Sequence, residues 1–186
     1  GAAKLHFLGD TGPELRIMRR SFPFEAELAR TGDATCTLDK EVVTVDSLVV
    51  RDERPADADA VESVLQAAFG DHPHSQQTEH LIVRRLREAS ELVLPQVSVL
   101  DGTIVGHATF SAVQLSPQHD GWYGLGPVAV APAYHGHRIG SALIDSGLKA
   151  LKAMGAAGCV VLGEPQFYRR FGFERGLGVT FDGAPP

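Results

Sequence analysis

The stretch LGPVAVAPAYHGHRIGSALIDSGLKAL, residues 125–151, constrains the architecture more than any other part of the chain. An apolar run is followed by a turn at Ala131-Pro132, a short loop of glycines and basic residues, and then apolar side chains at helical spacing. A loop that enters a helix this way leaves the first backbone N–H groups unpaired at the positive end of the helix dipole. That end favours a phosphate ligand. A second short apolar run at residues 159–162 completes a strand, helix, strand crossover. Such crossovers are right-handed, so the strands at Val128 and Val160 are expected to be parallel neighbours.

Around this unit the other elements can be placed by period and punctuation. After Arg54-Pro55, Val61, Val64, Leu65 and Ala68 share a helical face, Asp57 or Asp59 stands near the start, and Gly70 ends the helix. Thr78 can cap a second helix with Ile82, Leu86 and Ala89 on its apolar side. Residues 93–100 and 103–113 read as strands joined by Asp101-Gly102, a dipeptide suited to a tight hairpin, and 122–130 as the third strand of a meander. The helix after the glycine loop carries Leu143, Ile144, Leu148, Leu151 and Met154 inward and stops at Gly155. A short helix at 166–171 and a last strand from Phe173 follow. The fold class is mixed α/β (α+β), one domain over residues 47–186 preceded by an extension at 1–46. In the extension, 4–8 and 41–50 have strand character and 25–30 that of a helical turn.

The formal net charge of −6 argues against a general nucleic-acid binder, which needs a basic face. No apolar run approaches the ~20 residues that cross a bilayer, and the N-terminus lacks the order of a secretory signal. A cytoplasmic, membrane-free protein is expected. Cys36 and Cys159 make neither a disulfide framework nor a four-cysteine metal site, and Cys159 reads as a packing residue. His72, His74, His80, His135 and His137 include two His-x-His pairs, but without a clustered cysteine or carboxylate set, so no metal is expected.

Taken together, the element order, the AVAPAYHGHRIGSALI run and the later FYRRFGFE run resemble the GNAT superfamily of acyl-CoA N-acyltransferases. The stretches GPVAVAPAYHGHRIGSALI and VVLGEPQFYRRFGFE are closest to bacterial predicted acetyltransferases, and the resemblance covers residues 47–180. It implies a central mixed, mostly antiparallel sheet that splays at a bulged strand and is flanked by helices. It also implies acetyl-CoA as acyl donor and a small-molecule or peptide amine as acceptor. The family's loop follows Gln/Arg-x-x-Gly-x-Gly/Ala. The matching residues are His135, Gly136, His137, Arg138, Ile139 and Gly140, followed by Ser141. His135 stands where Gln or Arg is usual, and Arg138 where the first glycine is usual. With Arg138 helical, the backbone amides reach the phosphates and its guanidinium adds a charge-assisted contact.

The resemblance further implies that the pantetheine arm pairs along the strand at Val128 and Val130. Pro127 cannot donate to a ladder, so with Gly126 it marks a bulge or an edge where the sheet opens. The N–H of Val128 can then stabilise the oxyanion formed at the thioester. Tyr168 matches the position whose phenol protonates the departing thiolate; its alternative reading is the cap of an aromatic cluster with Phe167, Phe171 and Phe173. The acceptor amine must lose a proton before attack, and Glu79, His119, Asp120 and Glu164 are open candidates for the base. A non-catalytic acyl-CoA-binding module is the competing reading, motivated by His135 and Arg138. The family usually has one more strand after the one near Phe173. The extension, through 4–8 or 41–45, or a second subunit in a homodimer, is therefore expected to cover a sheet edge.

Overall fold

Val97 buries its side chain on one face of a pair of neighbouring strands, and Val105, Ala108 and Phe110 bury theirs on the other. A sheet with apolar side chains on both faces needs a helical layer on each side. The computed structural model describes residues 16–21, 47–70, 78–113 and 120–175. In chain order these form β1 (Arg16–Ser21), β2 (Val49–Asp52), α1 (Ala58–Phe69), α2 (Glu79–Glu88), β3 (Leu92–Leu100) and β4 (Thr103–Ala112). Then come β5 (Trp122–Val130), α3 (Ile139–Ala153), β6 (Gly158–Gly163), α4 (Pro165–Arg169) and β7 (Glu174–Arg175).

The seven strands form one sheet in the order β2-β3-β4-β5-β6-β1-β7. Every neighbouring pair is antiparallel except β5 and β6, which are parallel across the α3 crossover. The β3–β4 hairpin turns at Asp101 (φ 48) and Gly102 (φ 80), the paired left-handed residues of a tight two-residue connection. On one face α3 packs Leu143, Ile144, Leu148 and Leu151 against Phe110, Val161 and Phe173. On the other, Val61, Val64 and Leu65 of α1 and Val83 of α2 pack against Val97 and Ala129.

Two ionic contacts fasten the α1–α2 layer to the sheet edge. Arg51 donates from both terminal nitrogens to Asp57, at 2.6 and 3.0 Å, and the Arg54 N–H adds a 2.7 Å bond to the same carboxylate. The Arg51 hydrogen bond outweighs burial and holds the Asp57 carboxyl down at about 2. Arg87 of α2 reaches Glu53, just beyond β2, at 2.6 Å.

The parallel register departs from the expectation in detail. β5 pairs with β6 only from Trp122↔Gly158 to Leu125↔Val161, so Val160 lies opposite Gly124 and Val128 has passed beyond β6. The extension does supply a strand, but it is β1, a segment not singled out in the sequence, and it lies between β6 and β7 rather than along an edge. Arg20 of β1 donates to the Phe171 carbonyl at 2.6 Å. The segments 4–8, 25–30 and 41–45 and the residues Cys36, His72, His74 and His119 lie outside the described residues. Among the described residues, no helix is long and apolar enough to cross a membrane.

Helix α3 runs so near the sheet that a Cβ on Gly147 would lie 2.0 Å from Phe110 Cε2. That contact sets the height of α3 and therefore of the loop before it. Gly147→Ala is expected to destabilise the fold by about 1–3 kcal/mol through overpacking, measured by urea unfolding; an unchanged midpoint would contradict this account of the helix position.

Candidate active site

Across β4 and β5, Phe110 pairs with Leu125 and Ala108 with Val128, so Gly126 and Pro127 together oppose the single residue Thr109. This is a β-bulge, placed where Pro127 has no N–H to give. Before it β5 is held on both sides; after it only β4 remains, because pairing with β6 ends at Leu125. The sheet opens at this point.

The direction of the backbone groups past the bulge follows from one hydrogen bond. Ala131 N–H donates to the Val105 carbonyl across the strands at 2.9 Å. Backbone groups alternate sides in an antiparallel pair, so Ala129, two residues back and opposite His107, also turns its N–H and C=O to β4. Val128 and Val130 turn theirs the other way, into the gap left by β6. The Val130 carbonyl bears this out, since it accepts from His135 Nε2–H at 2.8 Å, a partner that comes from the loop and not from β4.

The loop leaves the strand through a 3-10 turn at Pro132–Tyr134 and passes Gly136 at φ 85. Helix α3 follows, and its first intrahelical bond runs from Ala142 N–H to the Arg138 carbonyl at 3.0 Å. The N–H groups of Ile139, Gly140 and Ser141 precede that bond and point out of the helix start, forming a patch of donors at the positive end of a 15-residue helix. His137 Nδ1–H donates to the His135 carbonyl at 3.1 Å, so both loop histidines brace the turn. The sequence reading tied the amide contacts to a helical Arg138; the residue is instead left-handed, at φ 60 and ψ 12, as the N-cap of α3. The chain must reverse its curvature there to enter the helix, a conformation that costs an L-residue about 1–2 kcal/mol and glycine almost nothing.

Tyr168 stands on α4, a five-residue helix started by Pro165 and capped by the Glu164 carboxylate, which accepts from Gln166 N–H at 3.2 Å. Its ring lies against Gly163 at the end of β6, where a Cβ would come within 2.3 Å of Cε2. Edge-on contacts to Phe167 at 5.0 Å and Phe173 at 5.8 Å hold the ring from the other sides. Burial, with a smaller contribution from Cys159, pushes its phenol up to about 12. The ring thus closes the aromatic cluster, and its hydroxyl keeps its proton at neutral pH. Cys159 is fully buried and its thiol is pushed up by desolvation, which leaves it a packing residue with no nucleophilic character.

Val128, Val130, Tyr134 and Tyr168 all border the core cluster beneath α3. Of the possible bases, Glu164 is engaged as a helix cap, and Glu79 lines a hollow of about 260 Å³ with Leu65, Gln66, Phe69, Gly70 and His80. Sequence reasoning missed a buried hydrogen-bond network on the α1 side, Arg87–Glu53–His107, whose signal was the period-two polar series His107, Thr109, Ser111 within an apolar strand. Among the described residues, no three His, Cys, Asp or Glu side chains gather as a metal site would require.

Because Arg138 holds a conformation suited to glycine, Arg138→Gly is expected to stabilise the protein by about 1 kcal/mol despite the added freedom of the unfolded chain. Thermal unfolding measures it, and a lower melting temperature would contradict the strain.

The model of the acetyltransferase (GNAT) family matches residues 59–173. The uncharacterized N-acetyltransferase YhbS of Escherichia coli K12 is 34% identical over 128 residues, which span 68% of this chain and 74% of that protein. Among solved structures, a GNAT family acetyltransferase from Brucella melitensis in complex with acetyl-CoA is 47% identical, with a TM-score of 0.67, over 68% of this chain and 82% of that one. YhbS from Escherichia coli in complex with CoA gives 34% identity and a TM-score of 0.64, over 69% of each chain. The fold thus has solved counterparts at substantial identity, and the chain belongs to the GNAT acetyltransferase family, whose members named among its relatives are N-acetyltransferases.

Proposed function

We propose that this protein transfers an acetyl group from acetyl-CoA to a primary amine by direct attack in a ternary complex. The observation that carries the proposal is the gap beside β5, where Val128 and Val130 turn backbone groups away from β4 immediately before the donor-rich start of α3. An extended pantetheine arm can add to that strand as a further strand would. The pyrophosphate then falls at the N–H groups of Gly136 to Ser141, with the Arg138 guanidinium beside it. The acetyl-CoA complex of the Brucella melitensis relative supports acetyl-CoA as the donor.

In this arrangement the Val128 N–H donates to the thioester oxygen as it becomes an oxyanion. A fixed donor aimed at developing charge costs no reorganisation during the reaction. Tyr168 faces the sulfur. A phenol at about 12 is a weaker acid than a thiol near 8.5, so its first contribution is a hydrogen bond to the departing thiolate, with full proton transfer completed only as solvent restores the proton. Neither cysteine is needed as a nucleophile, because the amine attacks the thioester itself.

A protein that only binds acyl-CoA would keep the groove and lose the chemistry. Calorimetry with acetyl-CoA and with CoA, followed by turnover on a panel of primary amines, separates the two. Binding and turnover are expected, with Tyr168→Phe lowering kcat by about 100-fold at unchanged acetyl-CoA affinity. Absence of binding at millimolar acetyl-CoA would remove the donor assignment, binding without turnover would favour the binding module, and an unchanged kcat in the variant would remove Tyr168 from the chemistry.

A further inference from the structure

At the end of β5 the Val130 carbonyl is occupied by a side chain, and the residue that supplies it is held on both sides. Pro132 opens the 3-10 turn, in which Tyr134 N–H donates to the Ala131 carbonyl at 2.8 Å and His135 N–H to the Pro132 carbonyl at 3.2 Å. The His135 carbonyl accepts from His137 Nδ1–H at 3.1 Å. With both backbone groups of His135 engaged, Gly136 at φ 85 turns the chain toward α3, and the imidazole reaches back five residues to donate from Nε2 to the Val130 carbonyl at 2.8 Å. A carbonyl oxygen only accepts, so Nε2 carries a proton whatever the charge of the ring. His135 is exposed, so this contact is not a by-product of core packing.

Where that nitrogen stands decides what the gap can hold. A residue turned outward from an antiparallel pair presents its N–H and its C=O on the same side. Past the bulge, the side of β5 turned away from β4 therefore reads donor, acceptor, donor, acceptor: Val128 N–H, Val128 C=O, Val130 N–H and Val130 C=O. The fourth seat is filled, because His135 Nε2 lies at hydrogen-bond distance from the oxygen, where the N–H of an added strand would stand. Beyond it Ala131 turns back to the Val105 carbonyl and the chain leaves the sheet at Pro132. Among the described residues, the first three groups remain for a ligand, and their complement is acceptor, donor, acceptor. An acyl thioester followed by one amide has this order in its thioester oxygen, its amide N–H and its amide C=O. A polypeptide strand, which would go on alternating, meets the imidazole at the fourth group.

We propose that His135 is a ladder stop, a positioning residue that ends strand-like pairing at the Val130 N–H and thereby sets the register of the acyl-thioester arm along β5. With the ladder closed at that point, the thioester oxygen lies at the Val128 N–H, and the remainder of the arm turns off the strand toward the start of α3. The ring acts on the strand and not on the phosphates. It also gives the gap a specificity, since an acyl thioester with its adjacent amide fits the three open groups and an extended peptide does not.

This inference rests on acetyl-CoA being the donor, and its test separates the two. Histidine 15N NMR of the full chain at neutral pH, without and with saturating acetyl-CoA, is expected to show His135 Nε2–H hydrogen-bonded in both states, while the Val130 amide becomes protected from exchange on binding. Acetyl-CoA that binds and displaces the ring, returning Nε2 to a solvent-exposed signal, overturns the ladder stop and leaves the donor assignment standing. A wild type that binds no acetyl-CoA at millimolar concentration overturns the donor assignment and the ladder stop with it. Among variants, His135→Ala is expected to weaken acetyl-CoA binding and to lower kcat, each by about 10-fold, as the loss of one register-holding hydrogen bond predicts. His135→Gln, whose side-chain amide can donate to the same carbonyl, is expected to recover most of both. An Ala variant with wild-type affinity and kcat, or a Gln variant no better than Ala, overturns the ladder stop alone.

Discussion

Strand β5 loses one of its two partners at a bulge, and the candidate site follows from that change. β5 is paired on both sides as far as Leu125; at Gly126-Pro127 an extra residue enters the strand, and beyond it β5 keeps only β4. Backbone N–H and C=O groups are obligatory hydrogen-bonding partners, so a strand left half-paired inside a domain is a template for another extended chain. The chain itself supplies one such partner, the His135 ring on the Val130 carbonyl.

What closes the site at its two ends comes from the same crossover. At one end α3 begins directly after the gap, its height fixed by the contact of Gly147 with Phe110, and Gly140 sits over Val130 so that a Cβ would be 3.6 Å from Cγ2. The unpaired amides of α3 are thereby held at a fixed distance from the strand. At the other end β6 leads into α4 and brings the Tyr168 ring against Gly163. The bulge thus sits between the amide-rich start of α3 and the buried Tyr168 ring, while the side facing α1 carries the Glu53–His107 hydrogen bond.

The meander and the crossover were legible because each rests on local signals. Asp101-Gly102 names its hairpin, the apolar stripe of residues 139–153 names its helix, and the proline of Pro127 announces the bulge. Features that depend on distant partners were not legible. β1 is a basic hexapeptide, RIMRRS, with no alternation to mark it, and it is a strand only because β6 and β7 offer it two ladders. The left-handed turn at Arg138 was not legible because an arginine gives no hint of a conformation that glycine would advertise. The polar series on β4 was visible as His107, Thr109 and Ser111, but its meaning depends on Glu53 and Arg87, which lie 54 and 20 residues from His107 in the chain. A period-two pattern says which face a residue takes, not what meets it there.

The central claim is that Val128 and Val130 turn their N–H groups into an open gap that acetyl-CoA fills. Amide hydrogen exchange, read residue by residue with NMR, tests it most directly. In the free protein the Ala129 amide, bonded to β4, should exchange slowly while those of Val128 and Val130 exchange fast, and saturating acetyl-CoA should slow both by at least about 10-fold while leaving Ala129 unchanged. Fast exchange at Val128 and Val130 that acetyl-CoA does not alter, or protection of both before any ligand is added, would contradict the account.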